Sequence, residues 1–475
     1  MVFSSSLFLV YFMPLFLLVY HLTPRPGKNY VILLASLAFY AWGAPTFIFI
    51  LVGSTILDFF IVRALHRAPT KRRKNLLLAA SLSMNLGLLL YFKYANFFID
   101  NVNALLLSFG GTEITWTKVL LPIGISFYTF QTLTYAIDIY RGQHKPLKRL
   151  TDYLLYIMSF PQMIAGPIVR FKLIADQITN RSETIDDKLL GFIRFCIGLA
   201  KKVLIANVMA EQADLILDQD PASLSTATAW TGILAYTMQI YFDFSGYSDM
   251  AIGLGRIMGF TFPENFNSPY TAKSITEFWR RWHITLGAWM RDYLYIPLGG
   301  NRVKTTRRLY FNLWFVFLVS GLWHGASWNF VLWGAYHGLF LILDRLFLIR
   351  LLKPFGSLPR VALTFFLVVI GWVFFRIESF GEATGFIGRM FGVGGENVED
   401  TGAIADFWPV FIIAAGFAFL TLLPLGKRLD NWVFHSKTYP LGAYFGMLLA
   451  CALLFVLSLA SITSSGFNPF IYFRF

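Results

Sequence analysis

The sequence predicts an all-α, polytopic integral membrane protein. Hydrophobic residues make up 56% of its 475 residues and charged residues only 14%, whereas a soluble domain carries roughly 25% charged residues. Aromatic residues reach 18%, and many lie beside basic residues, as is typical of helix ends at the headgroup level. This composition excludes intrinsic disorder, coiled coils and disulfide-rich secreted scaffolds.

Apolar runs of membrane-spanning length recur along the chain. A bilayer core of about 30 Å needs roughly 17–25 apolar residues per helix. Such runs are predicted at 7–22, 75–92, 119–137, 188–209, 228–242, 309–323, 327–347, 361–376, 407–424 and 441–460. The stretch 30–62 is too long for one span and contains Gly43-Ala44-Pro45, so it predicts two. We therefore expect about 10–12 transmembrane helices, together with re-entrant and interfacial helices.

The distribution of Lys and Arg predicts the orientation of the loops. Basic residues cluster at 63–74, 141–149 and 302–308, whereas 211–223 and 378–406 contain few of them. Basic loops face the cytoplasm, so the first three loops are expected inside and the other two outside. The net charge of +14 thus falls in short blocks between apolar runs, and this pattern indicates contact with membrane lipids and not with nucleic acid.

Two regions do not resemble plain lipid-facing helices. Residues 159–167 contain Pro161 and Pro167 and are flanked by basic residues on both sides, a pattern that predicts a re-entrant loop. Residues 241–301 hold most of the intramembrane polar groups. Such groups are costly in lipid and are usually functional, so we expect the site there.

Asp243 and Asp249 lie in an apolar stretch punctuated by glycine. An uncompensated carboxylate is costly there and must find a partner or water. Structural pairing with nearby arginines is one interpretation, and an acid–base dyad is the other. A spacing of six residues does not decide between them.

Arg280, Arg281 and Arg291 alternate with tryptophans. The pattern describes a helix in the membrane interface, with guanidinium groups stacked on the rings or reaching into water. A membrane anchor is one interpretation. The other is that these arginines receive a phosphate-bearing donor such as coenzyme A or the phosphopantetheine of a carrier protein.

His283, His324 and His337 are the histidines that lie within the apolar or aromatic body of the sequence. His324 is bracketed by Gly321 and Gly325, which permit close approach of a backbone or a substrate. A buried neutral imidazole suits proton abstraction from a hydroxyl. Metal binding is not expected, because no HExxH motif and no Cys/His cluster is present.

Other sequence features narrow the chemistry. Cys196 and Cys451 are expected to be small buried hydrophobic residues, in neither a zinc site nor a disulfide. The sequence has no Walker A loop and no G-x-S-x-G elbow, so nucleotide hydrolysis and a serine acyl-enzyme are not expected. We expect no tightly bound cofactor.

Several motifs resemble those of the membrane-bound O-acyltransferase superfamily, in particular its bacterial alginate O-acetyltransferase branch. The matching segments are Trp279-Arg280-Arg281-Trp282-His283, Arg291-Asp292-Tyr293, Gly299-Gly300-Asn301-Arg302, Gly321-Leu322-Trp323-His324-Gly325, Leu121 to Phe127, Ala165-Gly166-Pro167 and Tyr241 to Asp249. The resemblance covers nearly the whole chain and implies one membrane-embedded domain around an intramembrane tunnel. Within it we expect N-terminal helices at 1–140, a catalytic core at 141–345 and C-terminal helices at 346–475.

The resemblance also implies roles for single residues. His324 matches the catalytic histidine of the family, and His283 matches the second histidine. Supporting or substrate-binding roles are expected for other residues in the shared motifs: Asp243, Asp249, Arg280, Arg281, Arg291, Asn301 and Trp323.

The expected activity is the transfer of acetyl groups from a cytoplasmic thioester, acetyl coenzyme A or an acyl carrier, across the bacterial inner membrane. His324 would act as general base, while His283 orients the hydroxyl or polarises the thioester carbonyl. The product would be O-acetylated alginate or a similar exopolysaccharide, with a periplasmic acetyltransferase partner completing the transfer. The alternatives are an acyltransferase for peptidoglycan or teichoic acid and a non-enzymatic polysaccharide transporter.

Overall fold

A computed structural model describes residues 2–393, 402–436 and 439–469, and no β-strand occurs in these ranges. The all-α class is therefore confirmed for the described residues. The chain divides into two compact units, unit 1 with Met1–Lys188 and Leu254–Pro263 and unit 2 with Leu189–Gly253 and Glu264–Phe475. The division at residues 140 and 345 stays a prediction, and residues 394–401 of the predicted outside loop lie outside the described residues.

Unit 1 is built from the first helices of the chain. They are α1 Met13–Leu22, α2 Lys28–Gly43, α3 Phe47–Arg67, α4 Lys71–Ser108, α5 Ile125–Tyr140, α6 Leu150–Met158, α7 Phe160–Met163, α8 Phe171–Thr179 and the start of α9 Ile185–Ala200. Part of its core is an aromatic cluster in which the ring of Phe39 lies 6.0 Å from Phe8 and 5.5 Å from Phe160. Such packing contributes beyond the burial of apolar area alone.

Helix boundaries in unit 1 follow glycine and proline. The predicted break at Gly43 is confirmed, since α2 ends there and α3 begins at Phe47. The predicted span 119–137 is wrong at its start, because the helix begins only at Ile125. Gly124 precedes it with a φ of 77°, and a Cβ there would lie 2.7 Å from the carbonyl oxygen of Met163, so a left-handed turn replaces the first helical residues.

The predicted re-entrant segment is a broken helix. α6 ends at Met158 and α7 begins at Phe160, with Pro161 in its first turn, where its missing N–H costs nothing. Residues 159–169 are buried throughout. Re-entry into a membrane stays a prediction.

Unit 2 contains the later helices. They are the rest of α9, then α10 Asn207–Leu217, α11 Thr226–Ile257, α12 Ile275–Arg281, α13 Ile284–Met290, α14 Thr306–His324, α15 Trp328–Leu343, α16 Ile349–Leu352, α17 Ser357–Arg376, α18 Phe380–Met390, α19 Phe407–Phe419, α20 Pro424–His435 and α21 Leu441–Ser465. The π-helical segments Lys201–Ala206 and Asp344–Leu348 join α9 to α10 and α15 to α16.

Glycine pairs bring helices of unit 2 into backbone contact. A Cβ on Gly198 would lie 2.5 Å from the carbonyl oxygen of Gly246, and one on Gly253 would lie 2.5 Å from that of Gly191. α9 and the unit 2 part of α11 therefore pack closely through small residues.

Within the described residues, four helices are long and apolar enough to cross a membrane: α3, α4, α17 and α21. A fifth span results if Phe407–Leu422 and Pro424–Phe434, which meet at a bend of 96°, count as one. The predicted number of 10–12 is larger because it included helices that do not combine the length with the apolar composition of a span. α11 and α14 have 32 and 19 residues but are not apolar enough, whereas the apolar helices Leu7–Leu22 and Ile125–Tyr140 are shorter than the roughly 17–25 residues that a span needs.

Candidate active site

The Trp/Arg segment forms two short helices and not the single interfacial helix that the sequence predicted. α12 ends at Arg281 and α13 begins at Ile284. His283 lies at the junction with a φ of 44°, a left-handed conformation that is strained for a side chain with a Cβ. The break turns the His283 side chain into the protein, where it is 1% exposed.

The His283 ring is held by one hydrogen-bonding side chain and one aromatic ring. Its Nδ1 atom lies 2.9 Å from Oδ1 of Asn265, and the ring meets that of Phe244 edge to face at 4.6 Å. Nε2 is buried and has no hydrogen-bond partner among the described residues. One nitrogen is therefore held by the protein, and the other has no hydrogen-bond partner among the described residues.

His324 is the last residue of α14 and is 7% exposed. The ring lies 5.1 Å from that of Trp333 and 5.2 Å from that of Phe375. Gly321 and Gly325 permit close approach as predicted, and the group that approaches is the start of α15. A Cβ on Gly321 would lie 2.2 Å from the carbonyl oxygen of Phe330.

The ring of Trp323 lies near both histidine rings. It lies 4.8 Å from that of His324 and 6.1 Å from that of His283. The structure thus brings His283, His324 and Trp323 together in unit 2, although 40 residues separate Trp323 from His283 in the printed sequence.

A cavity of about 550 Å³, the arginine cavity, opens beside His283. Its walls include Arg280, Arg291, His283 and the face of α14 from Leu313 to Ser320. Arg280 and Arg291 are exposed, and Arg291 lies 2.8 Å from Asp292. A cavity with two guanidinium groups and mainly apolar walls suits an elongated ligand with an anionic end.

A second cavity of about 870 Å³, the acidic cavity, is lined by Asn329, Phe330 and Phe375 together with charged residues. The charged residues are Asp218, Asp220, Arg376, Glu378 and Glu382. Arg376 is engaged by Asp214 at 3.0 Å and by Asp218 at 2.6 Å. Phe375 borders this cavity and also contacts His324, so the acidic cavity reaches the layer of aromatic rings around the catalytic candidate.

Arg281 and Asn301, two of the predicted supporting residues, have protein partners. Arg281 lies 2.6 Å from Glu277, and Asn301 accepts hydrogen bonds from Tyr295 and Arg345 at 2.8 and 3.0 Å. Neither lines the arginine cavity.

Asp243 lies 2.8 Å from Lys202, and Asp249 lies 2.8 Å from Arg194 and 2.7 Å from Lys201. The two carboxylates pair with different cations, which favours the structural interpretation for both. Among the described residues, no group of three or more His, Cys, Asp or Glu side chains could hold a metal ion.

Sequence reasoning missed Asn265 and the acidic cavity. Asn265 lies 18 residues before His283, outside any chemical motif that spacing alone could identify. The walls of the acidic cavity come from separated parts of the chain, which are residues 217–221, Tyr236, residues 329–330 and residues 375–382. The shortage of Lys and Arg in two of these segments was the only signal in the sequence.

Residues 147–376, which include both catalytic candidates and every predicted supporting residue, match the model of MBOAT, the membrane-bound O-acyltransferase family. Together with the relatives that follow, this match shows that the chain belongs to this family. It is therefore a membrane O-acyltransferase whose helices include several apolar spans.

The probable alginate O-acetylase AlgI of Pseudomonas putida is 42% identical to this chain, with all of both chains covered. The probable alginate O-acetylase AlgI of Azotobacter vinelandii is 41% identical, again over both full lengths. The peptidoglycan O-acetyltransferase of Helicobacter pylori is 37% identical over 84% of this chain and 81% of its own length. The resemblance to the alginate O-acetyltransferase branch is confirmed.

Proposed function

We propose that this enzyme moves acetyl groups from a cytoplasmic thioester through the bacterial inner membrane, for O-acetylation of alginate or a similar exopolysaccharide. The main observation in its support is that two cavities of different charge lie close to His283 and His324. The arginine cavity contains His283, and the acidic cavity borders Phe375, which contacts His324. The full-length similarity to probable alginate O-acetylases supports this acceptor class.

The position of α14 indicates which of the two cavities lies on the donor side. This helix has 19 residues and is therefore about 28 Å long. It begins at Thr306, within the predicted basic loop 302–308, passes the arginine cavity between Leu313 and Ser320, and ends at His324. If that loop is cytoplasmic, the arginine cavity lies on the donor side of His324.

The donor that fits the arginine cavity is a thioester of coenzyme A or of a phosphopantetheine carrier. Guanidinium groups bind phosphate through charge-assisted hydrogen bonds. The apolar walls from Leu313 to Phe317 would cover the uncharged arm of such a donor. No tightly bound cofactor is part of this proposal, since the thioester itself supplies the activated acetyl group.

In the proposed reaction, His324 takes the proton of the acceptor hydroxyl while the hydroxyl oxygen attacks the thioester carbonyl. The C–S bond then breaks, and the thiolate leaves and takes up a proton. His283 and Trp323 orient the reactants next to His324, which lowers the entropic part of the barrier. Direct transfer is the simplest course, because Cys196 and Cys451 are both buried and neither is among the described residues that line the two cavities.

The acidic cavity favours a partner protein as the first acceptor. Four carboxylates and one guanidinium group line it, and a polyuronate such as alginate would be repelled by this charge. A periplasmic acetyltransferase with a basic surface around its nucleophilic hydroxyl would be attracted. The partner would then pass the acetyl group to the polysaccharide.

Chemical analysis of a deletion strain tests this function. Loss of the gene is expected to remove O-acetyl groups from the exopolysaccharide and to leave those on peptidoglycan unchanged, with recovery on complementation. A second candidate, peptidoglycan O-acetylation, is favoured by the relative from Helicobacter pylori. The opposite pattern of loss would establish that candidate, and no loss on either polymer would refute both.

A further inference from the structure

Asn265 lies on the segment between α11 and α12 and is 1% exposed. Its backbone carbonyl accepts a hydrogen bond from the N–H of Ile284 at 2.9 Å. Its side-chain Oδ1 accepts hydrogen bonds from the hydroxyl and the N–H of Thr285 at 2.8 and 3.3 Å. Asn265 therefore binds the start of α13 at both residues that follow His283, and so supports the strained backbone of that histidine.

The hydrogen bonds around Asn265 also determine which way its amide group points. Its Nδ2 donates to Oγ of Ser248 at 3.0 Å. In the opposite orientation the NH₂ group would face the N–H of Thr285, and two donors would meet without an acceptor. Oδ1 is therefore the atom that faces His283.

The orientation of Asn265 fixes the protonation of the imidazole. An amide oxygen can only accept a hydrogen bond, so Nδ1 of His283, at 2.9 Å from it, must carry the hydrogen. In the neutral ring Nε2 then carries a lone pair and no hydrogen. This nitrogen is buried without a partner among the described residues, and His283 forms part of the wall of the arginine cavity.

We infer that Asn265 is a positioning residue that holds His283 as the Nδ1–H tautomer, so that Nε2 accepts a hydrogen bond from a hydroxyl, thiol or amide group of the substrate. The identity of that substrate rests on the proposed function, whereas the assignment of the tautomer does not. A neutral Nε2 cannot donate a hydrogen bond, so it does not polarise the thioester carbonyl. Of the two roles predicted for His283, orientation of a substrate group remains.

The tautomer can be measured directly by ¹⁵N NMR of the histidine-labelled full-length protein in lipid nanodiscs. A ring nitrogen that carries hydrogen differs strongly in shift from one that does not, and the couplings to the ring C–H protons distinguish Nδ1 from Nε2. The His283 signals are assigned by their loss in His283→Gln. We expect hydrogen on Nδ1 in the wild type and in Asn265→Asp, which keeps an oxygen acceptor, and a shift of hydrogen towards Nε2 in Asn265→Leu. Hydrogen on Nε2 in the wild type would overturn the inference, whatever the activity of the protein.

Kinetics of acetyl transfer from acetyl coenzyme A provide a second readout. Asn265→Leu is expected to lower kcat by about 10–100-fold, the usual effect of removing a group that orients a reactive histidine. Asn265→Asp should recover most of that loss. Thr285→Val is the matched control, because it removes one hydrogen bond to the same Oδ1 atom and leaves His283 its acceptor.

The possible outcomes test the tautomer of His283 and the proposed function separately. Equal kcat for Asn265→Asp and Asn265→Leu, both at wild-type membrane abundance, would contradict the positioning role. If Asn265→Leu fails to accumulate, Asn265→Ala takes its place, and the wild-type spectrum decides the tautomer in any case. A protein that shows the Nδ1–H tautomer but transfers no acetyl group would refute the proposed function alone.

Discussion

Lys202 and Asp243 form an ion pair at 2.8 Å in which the two side chains are only 3% and 2% exposed. The ammonium group also donates to Oδ1 of Asn207 at 2.9 Å and to the backbone carbonyl of Pro469. Asp243 is thus neutralised by a cation that the fold itself supplies. This contact supports a structural role for a carboxylate that the sequence left open as an acid–base group.

Removing one member of this ion pair is expected to lower the stability of the fold more than removing both. Asp243→Leu leaves a buried ammonium group without its counter-charge and should destabilise the protein by about 3–5 kcal/mol. The double variant Lys202→Met/Asp243→Leu should recover most of that loss. Melting in detergent can be followed with a thiol-reactive fluorophore, because Cys196 and Cys451 are both buried. Equal melting temperatures for the single and double variants would show that the pair is not coupled.

The sequence predicted the all-α class, the break at Gly43 and the importance of His283 and His324, because each depends on local composition or on a motif. It did not predict that Arg280 lines the arginine cavity whereas Arg281 does not. The partner that engages Arg281 is Glu277 at 2.6 Å, an i,i+4 contact that exists only if α12 begins before residue 277. The direction in which an arginine side chain points thus depends on where its short helix begins and ends. Composition alone does not determine these helix boundaries.

Asn265 could not be predicted for a different reason. Its role comes from a tertiary contact across 18 residues and from the left-handed turn at His283. Positive φ at a histidine is rare, because local preferences oppose it. The hydrogen bonds that Ile284 and Thr285 donate to Asn265 support this turn, and such bonds are not visible in a single sequence.

The arginines of the Trp/Arg segment are expected to differ in their effect on donor binding. Arg280→Gln and Arg291→Gln should each raise KM for acetyl coenzyme A by about 10-fold, with a smaller change in kcat, because each removes a charge-assisted contact made in the ground state. Arg281→Gln is the matched control, since Arg281 does not line the cavity. It should lower stability and leave KM unchanged. An unchanged donor KM in all three variants would exclude the arginine cavity as the donor site.

Charge reversal in the acidic cavity is expected to impair delivery to the acceptor. Glu378 and Glu382 are both exposed, so Glu378→Lys/Glu382→Lys should leave the fold intact. It should lower the O-acetyl content of the exopolysaccharide by repelling a basic partner, and raised ionic strength should reduce the difference in a reconstituted assay. Glu113→Lys makes the same kind of change at another exposed position of the chain. Equal O-acetyl content in both variants would contradict the docking of a basic partner at this cavity.

His324→Ala tests the general base itself. The substitution removes a ring that lies between Trp333 and Phe375, so some loss of stability is expected, and protein abundance in the membrane must be measured with the activity. At equal abundance, acetyl transfer should fall by about 10²–10⁴, the usual contribution of a positioned acid or base. His337→Leu is the matched control, because His337 is also fully buried among aromatic rings but lines neither cavity. It should retain most of the transfer rate. Wild-type O-acetyl content in cells that carry His324→Ala would refute the mechanism, because no other residue in this layer is proposed to take the hydroxyl proton.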